Sequence, residues 1–190
     1  MKEQARVLGI DDGPFVKGDP TVPIVGVLVC PPSYIEGVLV SSCRVDGEDA
    51  NSTVIRMVKG SRFAEQVRAI MIDGAAFGGF NVVDVPALSD ELGLPVITVS
   101  RDLPDIGSIA SALKAHFPDW ERRLMVISKV KVRTVSLQQG CVHIASSGID
   151  DAEADRLVRG CVVRGCLPEP VRLAHLIATA VVRGESKGKA

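Results

Sequence analysis

The chain has 190 residues, of which 46% are hydrophobic and 24% are charged, and its formal net charge at neutral pH is −1. This length favours one domain with a proper core, so we expect a single domain over residues 1–190. The balanced charge argues against a protein that coats nucleic acid through general basicity, although it leaves room for a local basic patch.

The first part of the chain predicts three strands in a meander. Residues 5–10, 21–30 and 34–45 are rich in Val and Ile, and only a Pro-Pro-Ser turn separates the second run from the third. Alternation of polar and apolar residues in the third run suits an antiparallel strand with one exposed face.

The rest of the chain alternates between helical and strand patterns. Asp49 can cap a helix that runs to about Gln66. The remaining predicted elements are a strand over 67–72, a helix from Pro86 to Gly93, a strand over 95–100, a helix over 109–117, a short charged segment over 120–130, strands near 131–136 and 141–146, a helix after Asp150, and a last helix from Pro168 and Pro170 to Gly184. This order predicts an α/β protein whose mixed sheet combines the antiparallel meander with parallel strands, with helices on both faces. It is the order of the RNase H-like fold.

Asp11 and Asp73 each end an apolar strand pattern just before a turn. If the two strands are parallel neighbours, about 4.8 Å apart, both carboxylates project from the carboxyl edge of the sheet, where ligands of open α/β sheets bind. Two close carboxylates repel unless a cation lies between them. Oxygen ligands without His or Cys nearby favour Mg²⁺ or Mn²⁺ over zinc. Alternatively, each Asp only forms a turn and accepts local backbone N–H groups, and spacing leaves this open.

Four segments, in the same order, resemble endonuclease V over roughly residues 7–182. They are "GIDD", "IDG", "LGLPVITVSR" and "RGCLPEPVRLAHLIA". The segments "VDGEDANSTVIRMV" and "DGAAFGGFNVVD" resemble more closely an archaeal relative of endonuclease V, the family of domain-of-unknown-function number ninety-nine. The resemblance implies an RNase H-like fold and Mg²⁺-dependent cleavage of DNA or RNA near a deaminated base such as hypoxanthine. It places Asp11 and Asp73 on the metal-binding and catalytic positions.

The third carboxylate is the main departure from endonuclease V. That enzyme takes a Glu from an Arg-Glu-Gly-Pro block after its third strand, and this block is missing here. The nearest carboxylates are Asp46, Glu48 and Asp49. We assign Asp49 as the third catalytic and metal-binding residue because its short side chain stands at the head of a helix. Its alternative role is the N-cap of that helix.

Two further blocks of endonuclease V are also absent. The Pro-Tyr-Ile-Pro wedge is missing, and the position of a functional His falls near Ser147. We therefore expect weak or altered lesion specificity, with poor selectivity for hypoxanthine, and leave open whether the protein is an enzyme. The alternative is a non-catalytic module that binds nucleic acid or a nucleotide on the same fold.

Several other residues are candidates for binding the substrate. Arg101 falls where endonuclease V has a Lys, and Asp12 adjoins Asp11. The glycine-rich turn with Gly74 and Gly78 leaves room for a phosphate, although its phenylalanines, Phe77 and Phe80, fit the core better. Lys129 opens a short basic run that could line a phosphate-binding rim, and an exposed charged face is the alternative. His175, on the last helix, is expected to make a structural hydrogen bond.

The cysteines and the apolar runs bear on the cell compartment. Five Cys residues without a C-x-x-C pattern indicate buried small side chains rather than disulfides or zinc. No apolar run reaches the ~18 residues of a membrane span, and the first residues lead into a strand rather than a signal peptide. We expect a cytoplasmic protein without membrane contact and leave its oligomeric state open.

Overall fold

A seven-stranded mixed sheet forms the centre of the computed structural model, which describes residues 5–186. The strands are β1 (Arg6–Asp12), β2 (Thr21–Cys30), β3 (Tyr34–Arg44), β4 (Val67–Asp73), β5 (Ala76–Phe77), β6 (Asn81–Val82), β7 (Val96–Ser100), β8 (Arg133–Ser136) and β9 (Cys141–Ser147). The helices are α1 (Ala50–Lys59), α2 (Val85–Leu92), α3 (Ile106–His116), α4 (Trp120–Ile127), α5 (Asp151–Gly160) and α6 (Glu169–Arg183). The outermost parts of the predicted domain, 1–4 and 187–190, lie outside the described residues.

The sheet has the strand order β3-β2-β1-β4-β7-β9-β8, and β5 pairs with β6 in a small separate hairpin. Strands β1, β2 and β3 form the predicted antiparallel meander. Strand β4 is parallel to β1 on one side and to β7 on the other, whereas β9 and β8 continue the sheet antiparallel. The mixed sheet predicted from the sequence is therefore confirmed.

Helix α1 is shorter than the sequence predicted. It ends at Lys59 instead of Gln66: the N–H of Gly60 makes the last helical bond, to the carbonyl of Arg56, and the N–H and hydroxyl of Ser61 then both donate to the carbonyl of Val58. A series of turns then leads into β4. The apolar spacing continues to Phe63, but Phe63 lies in these turns and not in the helix. Its ring is still buried in the core.

Side chains of β1 alternate between two cores, one on each face of the sheet. Leu8 and Ile10 pack with residues of α1 and α2, whereas Val7 packs with residues of α5 and α6. The predicted helices on both faces are thus confirmed. None of the described helices is long and apolar enough to cross a membrane.

Helix α6 lies unusually close to β1. A Cβ added to Gly9 would stand 2.0 Å from the carbonyl carbon of Pro170, so only glycine permits this contact. Further along α6, Ala174 and Ala178 pack on Val25 and Val27 of β2. Small residues on the helix and a glycine on the strand thus bring α6 onto the carboxyl end of β1.

Candidate metal centre

Two strand-end aspartates meet where β1 and β4 run side by side. The parallel register pairs Gly9 with Met71 and Ile10 with Ile72, so Asp11 and Asp73 follow at the same level and on the same face. Asp11 is only 5% exposed. The sequence-based expectation that these carboxylates come together agrees with this placement.

His175 of α6 joins the two aspartates. Its Nδ1 lies 2.8 Å from Oδ2 of Asp11, and one potential ligand atom each from Asp11, Asp73 and His175 lie within 4.8 Å of one another. The sequence predicted a structural hydrogen bond for His175 but missed that its partner is a site carboxylate. The available signal was its position in the Pro-Glu-Pro block, the most specific match in the sequence.

Buried negative charge is crowded at this point. Burial, followed by repulsion from Asp11, raises the pKa of Asp73 to about 6. Burial is also the largest cause that raises the pKa of Asp12 to about 7, and Asp11 and Asp73 add to it. The hydrogen bond to Asp11 raises the pKa of His175, which favours its imidazolium form. A divalent cation would relieve the repulsion among these carboxylates.

The donor set fits a divalent ion but changes the expected preference. The choice of Mg²⁺ or Mn²⁺ rested on oxygen ligands without a nearby His, and His175 removes that premise. Mg²⁺ is usually held by carboxylates and water, whereas an imidazole suits softer transition metals. Two carboxylates and one imidazole can hold a divalent ion, and in general an imidazole is a more common ligand of a transition-metal ion such as Mn²⁺ than of Mg²⁺.

Each of the three carboxylates considered for the third ligand has another partner. Asp46 accepts the N–H of Phe80 at 2.9 Å, and Glu48 pairs with Arg122 at 2.6 Å. Oδ1 of Asp49 accepts the side-chain N–H of Asn81 at 2.7 Å and the backbone N–H of Arg44 at 3.1 Å. Asp49 occupies the N-cap position of α1 without a side-chain capping bond. Among residues 5–186, the structure groups His175, and not Asp49, with Asp11 and Asp73.

An apolar cavity of about 240 Å³ opens on the side of the sheet away from α6. It begins at Ala75, two residues after Asp73, and its wall includes Phe80. Three polar side chains, those of Thr98, Ser100 and His143, interrupt an otherwise apolar lining. A cavity of this composition suits a flat, partly apolar ligand whose edge carries a few polar atoms.

Comparison with known proteins identifies the family. The sequence model of the endonuclease dU family matches residues 3–182. The chain belongs to the endonuclease dU family. A UPF0215 protein of Methanothermobacter thermautotrophicus is 43% identical over 192 residues, which cover 100% of this chain and 94% of that protein.

Two solved structures share the fold of this chain. A protein of unknown function from Archaeoglobus fulgidus superposes with a TM-score of 0.85 and 34% identity, covering 95% of this chain and 100% of the other. Endonuclease V of Ciona intestinalis, solved with a 24mer DNA that contains an inosine followed by a ribo-adenosine, gives a TM-score of 0.66 at 12% identity, covering 97% and 88%. The predicted resemblance to endonuclease V is thus confirmed for the fold, which is RNase H-like.

In this endonuclease dU family member, Asp12 and the glycine-rich turn support one another. Oδ2 of Asp12 accepts the N–H of Gly78 at 3.0 Å. The N–H of Gly78 is therefore directed at Asp12. Gly74 has a positive φ of 70°, and no atom lies within 4 Å of the position that a Cβ would take. Gly74 thus leaves open space beside Asp73, whereas a Cβ on Gly78 would stand 2.8 Å from the side chain of Val22, so the turn is crowded there. Phe77 is a core residue, and Phe80 is half-buried.

The two predicted basic contacts have different surroundings. Arg101 lies close enough to Asp73 and His175 to lower the pKa of both groups. Lys129 instead contributes its ammonium to an ion pair with Asp84, at the N-terminus of α2. Arg133 of the same basic run also pairs with carboxylates, those of Asp151 and Asp155. The structure therefore groups Arg101, and not Lys129, with the strand-end carboxylates.

Proposed function

We propose that this protein is a metal-dependent endonuclease that hydrolyses a phosphodiester bond of DNA close to a deaminated base, preferably uracil. The family description names deoxyuridine, and the fold is shared with endonuclease V, one structure of which holds inosine-containing DNA. The observation that carries the proposal is the convergence of Asp11, Asp73 and His175 at the carboxyl ends of two parallel strands.

Each part of the site has a role in such a reaction. Asp11, Asp73 and His175 would hold one divalent ion, which supplies charge neutralisation at the phosphate and an activated water. Arg101, whose positive charge already acts on Asp73 and His175, would bind a phosphate oxygen of the substrate.

The apolar cavity would receive the deaminated base. Enzymes that act at a base in DNA take it out of the stack and read its edge in a shaped pocket. Here Thr98, Ser100 and His143 could hydrogen-bond that edge, while Phe80 lines the apolar wall. The cavity starts at the turn after Asp73, so an extruded base would leave its phosphate near the metal centre.

A non-catalytic binding module is the second candidate. It is favoured by the engagement of Asp46, Glu48 and Asp49 with other groups, which leaves Asp11 and Asp73 as the two carboxylates grouped with His175. Two-metal phosphoryl chemistry needs more ligands than this, so any catalysis here would use one ion.

Cleavage of matched oligonucleotides separates these functions. DNA strands that are undamaged, contain deoxyuridine or contain deoxyinosine, and RNA strands with and without inosine, would be incubated with Mg²⁺ or Mn²⁺. We expect cleavage of uracil-containing DNA, faster in Mn²⁺ than in Mg²⁺, with poor selectivity for hypoxanthine. Asp73→Asn should abolish it, whereas Asp90→Asn, on the exposed face of α2, should match wild type.

Two other outcomes contradict the proposal. Salt-sensitive binding without cleavage would support the binding module, because phosphate contacts release counterions whether or not chemistry follows. Neither cleavage nor salt-sensitive binding of any strand would mean that the site serves an unrelated ligand.

A further inference from the structure

The loop between β1 and β2 places apolar side chains in solvent beside the metal centre. Phe15 is 38% exposed and Val16 is 69% exposed, although Asp11, four residues before Phe15, is buried. A single exposed apolar residue needs no explanation, so the position of Phe15 carries the argument.

Phe15 lies between the two cavities of the proposed active site. Its side chain lines the open cavity of about 480 Å³ that also contains Asp11, Asp73 and His175. On its other side, Cζ of the ring lies 3.6 Å from the position that a Cβ on Gly79 would take, and Gly79 lines the apolar cavity. A strand of nucleic acid that reached from one cavity into the other would therefore pass the ring.

The backbone around Phe15 is held in place. Where the loop leaves β1, the N–H of Gly13 donates to the carbonyl of Pro23 at 2.9 Å. At its tip, the N–H of Val16 donates to Asp19 at 2.8 Å, and the N–H of Asp19 donates back to the carbonyl of Val16 at 3.0 Å. A prearranged aromatic side chain loses little conformational entropy when it binds a flat ligand.

The turn that faces Phe15 is fixed as well. Asp46 accepts the N–H of Phe80 at 2.9 Å and donates its own N–H to the carbonyl of Gly78 at 2.7 Å. Asp46 adopts a positive φ of 54°, a conformation that few residues other than glycine take. In this conformation Asp46 bonds both Gly78 and Phe80, which ties the turn to the residues that follow β3.

We propose that Phe15 is a substrate-binding residue that stacks on the base next to the one entering the apolar cavity. This inference rests on the proposed function. Extrusion of a base leaves a gap in the stack, and proteins commonly fill such gaps with apolar side chains. The exposed Val16 extends the apolar surface, and Lys17 beside it adds a positive charge for the phosphate backbone.

The test compares two exposed aromatic residues. Phe15→Ala removes the ring at the centre, whereas Tyr34→Ala removes one that is 71% exposed at the start of β3, beside Cys30 and so at the far end of the sheet from Asp11. The probe is a duplex with 2-aminopurine beside a single deoxyuridine. Its affinity and its fluorescence are measured with EDTA, and single-turnover cleavage is measured with Mn²⁺.

We expect Phe15→Ala to weaken binding about ten-fold, which is the size of effect that loss of base–aromatic stacking commonly has. The variant should also lose most of the change in 2-aminopurine fluorescence that wild type causes on binding. Phe15→Tyr should restore both, and Tyr34→Ala should match wild type. If Phe15→Ala binds and perturbs 2-aminopurine as wild type does, the stacking role is wrong while the proposed function stands. If wild type itself neither binds nor cleaves the duplex, both fail together.

Discussion

Substitution of Asp73 by Asn tests whether the centre is a metal site. The pKa of Asp73 is raised from 3.8 to about 6, and each pKa unit corresponds to about 1.4 kcal/mol. Ionised Asp73 therefore destabilises the metal-free fold at pH 8 by at most about 3 kcal/mol. Asn carries no charge, so the variant should be more stable than wild type in EDTA by about 1–3 kcal/mol. For 190 residues this corresponds to a Tm higher by about 3–9 °C.

A bound ion should reverse that order. A ligand at one hundred times its Kd stabilises the folded state by about 2.7 kcal/mol, or about 8 °C here. Wild type should gain this amount in Mn²⁺ and less in Mg²⁺, because His175 suits the softer ion. Asp73→Asn should gain little, since one of three ligands is lost.

Differential scanning fluorimetry at pH 8, with EDTA, Mg²⁺ or Mn²⁺, measures both effects, and Asp90→Asn serves as the control for loss of an exposed carboxylate. An equal Mn²⁺ shift in wild type and Asp73→Asn would refute the site. A lower Tm for Asp73→Asn in EDTA would refute the reasoning from charge crowding.

Three further predictions concern the surroundings of the site. Gly9→Ala should destabilise the fold by about 3 kcal/mol through overpacking against α6, which lowers Tm by about 9 °C. Displacement of α6 should also reduce the rise in Tm that Mn²⁺ produces. Gly160→Ala is the control and should not destabilise, because a Cβ there meets no neighbouring atom within 4 Å. The pKa of Asp12 is raised to about 7, so the folded state keeps this carboxyl protonated where the unfolded chain has ionised it. The free energy of unfolding therefore falls as pH rises from about 4 to 7. In EDTA, Asp12→Asn should have a higher Tm than wild type at pH 8 but not at pH 4. Burial raises the pKa of Cys161 to about 12, so iodoacetamide at pH 8 should label this thiol only after unfolding. Peptide mass spectrometry measures the labelling. Rapid labelling of Cys161 in the folded protein would contradict its burial.

The sheet and the pair of aspartates could be predicted because local patterns encode them. Uninterrupted apolar runs marked β1 and β4 as buried strands, and parallel pairing then placed Asp11 beside Asp73. The end of α1 was misplaced because apolar spacing continued to Phe63, while the helix stops where Ser61 donates its N–H and its hydroxyl to the carbonyl of Val58.

The remaining ligand could not be found from spacing. His175 reaches Asp11 only because α6 packs against Gly9, a contact between residues more than 160 positions apart. The partners of Asp49 are equally hidden, since nothing near it in the sequence indicates that Asn81 will bind its carboxylate. Local patterns thus predicted the strand ends, and tertiary packing chose which further side chains meet there.

The contact between His175 and Asp11 connects the docking of α6 with binding of a metal. Without an ion, the raised pKa of His175 favours an imidazolium, whose positive charge offsets part of the crowded carboxylate charge. An imidazolium has no lone pair for a metal, so a divalent ion can use His175 only after the ring loses a proton. Proton and metal therefore compete for the same side chain, and metal binding must release a proton when the imidazolium is populated. The ion would then replace the ion pair as the link between α6 and β1, so the helix is held against the strand in both states.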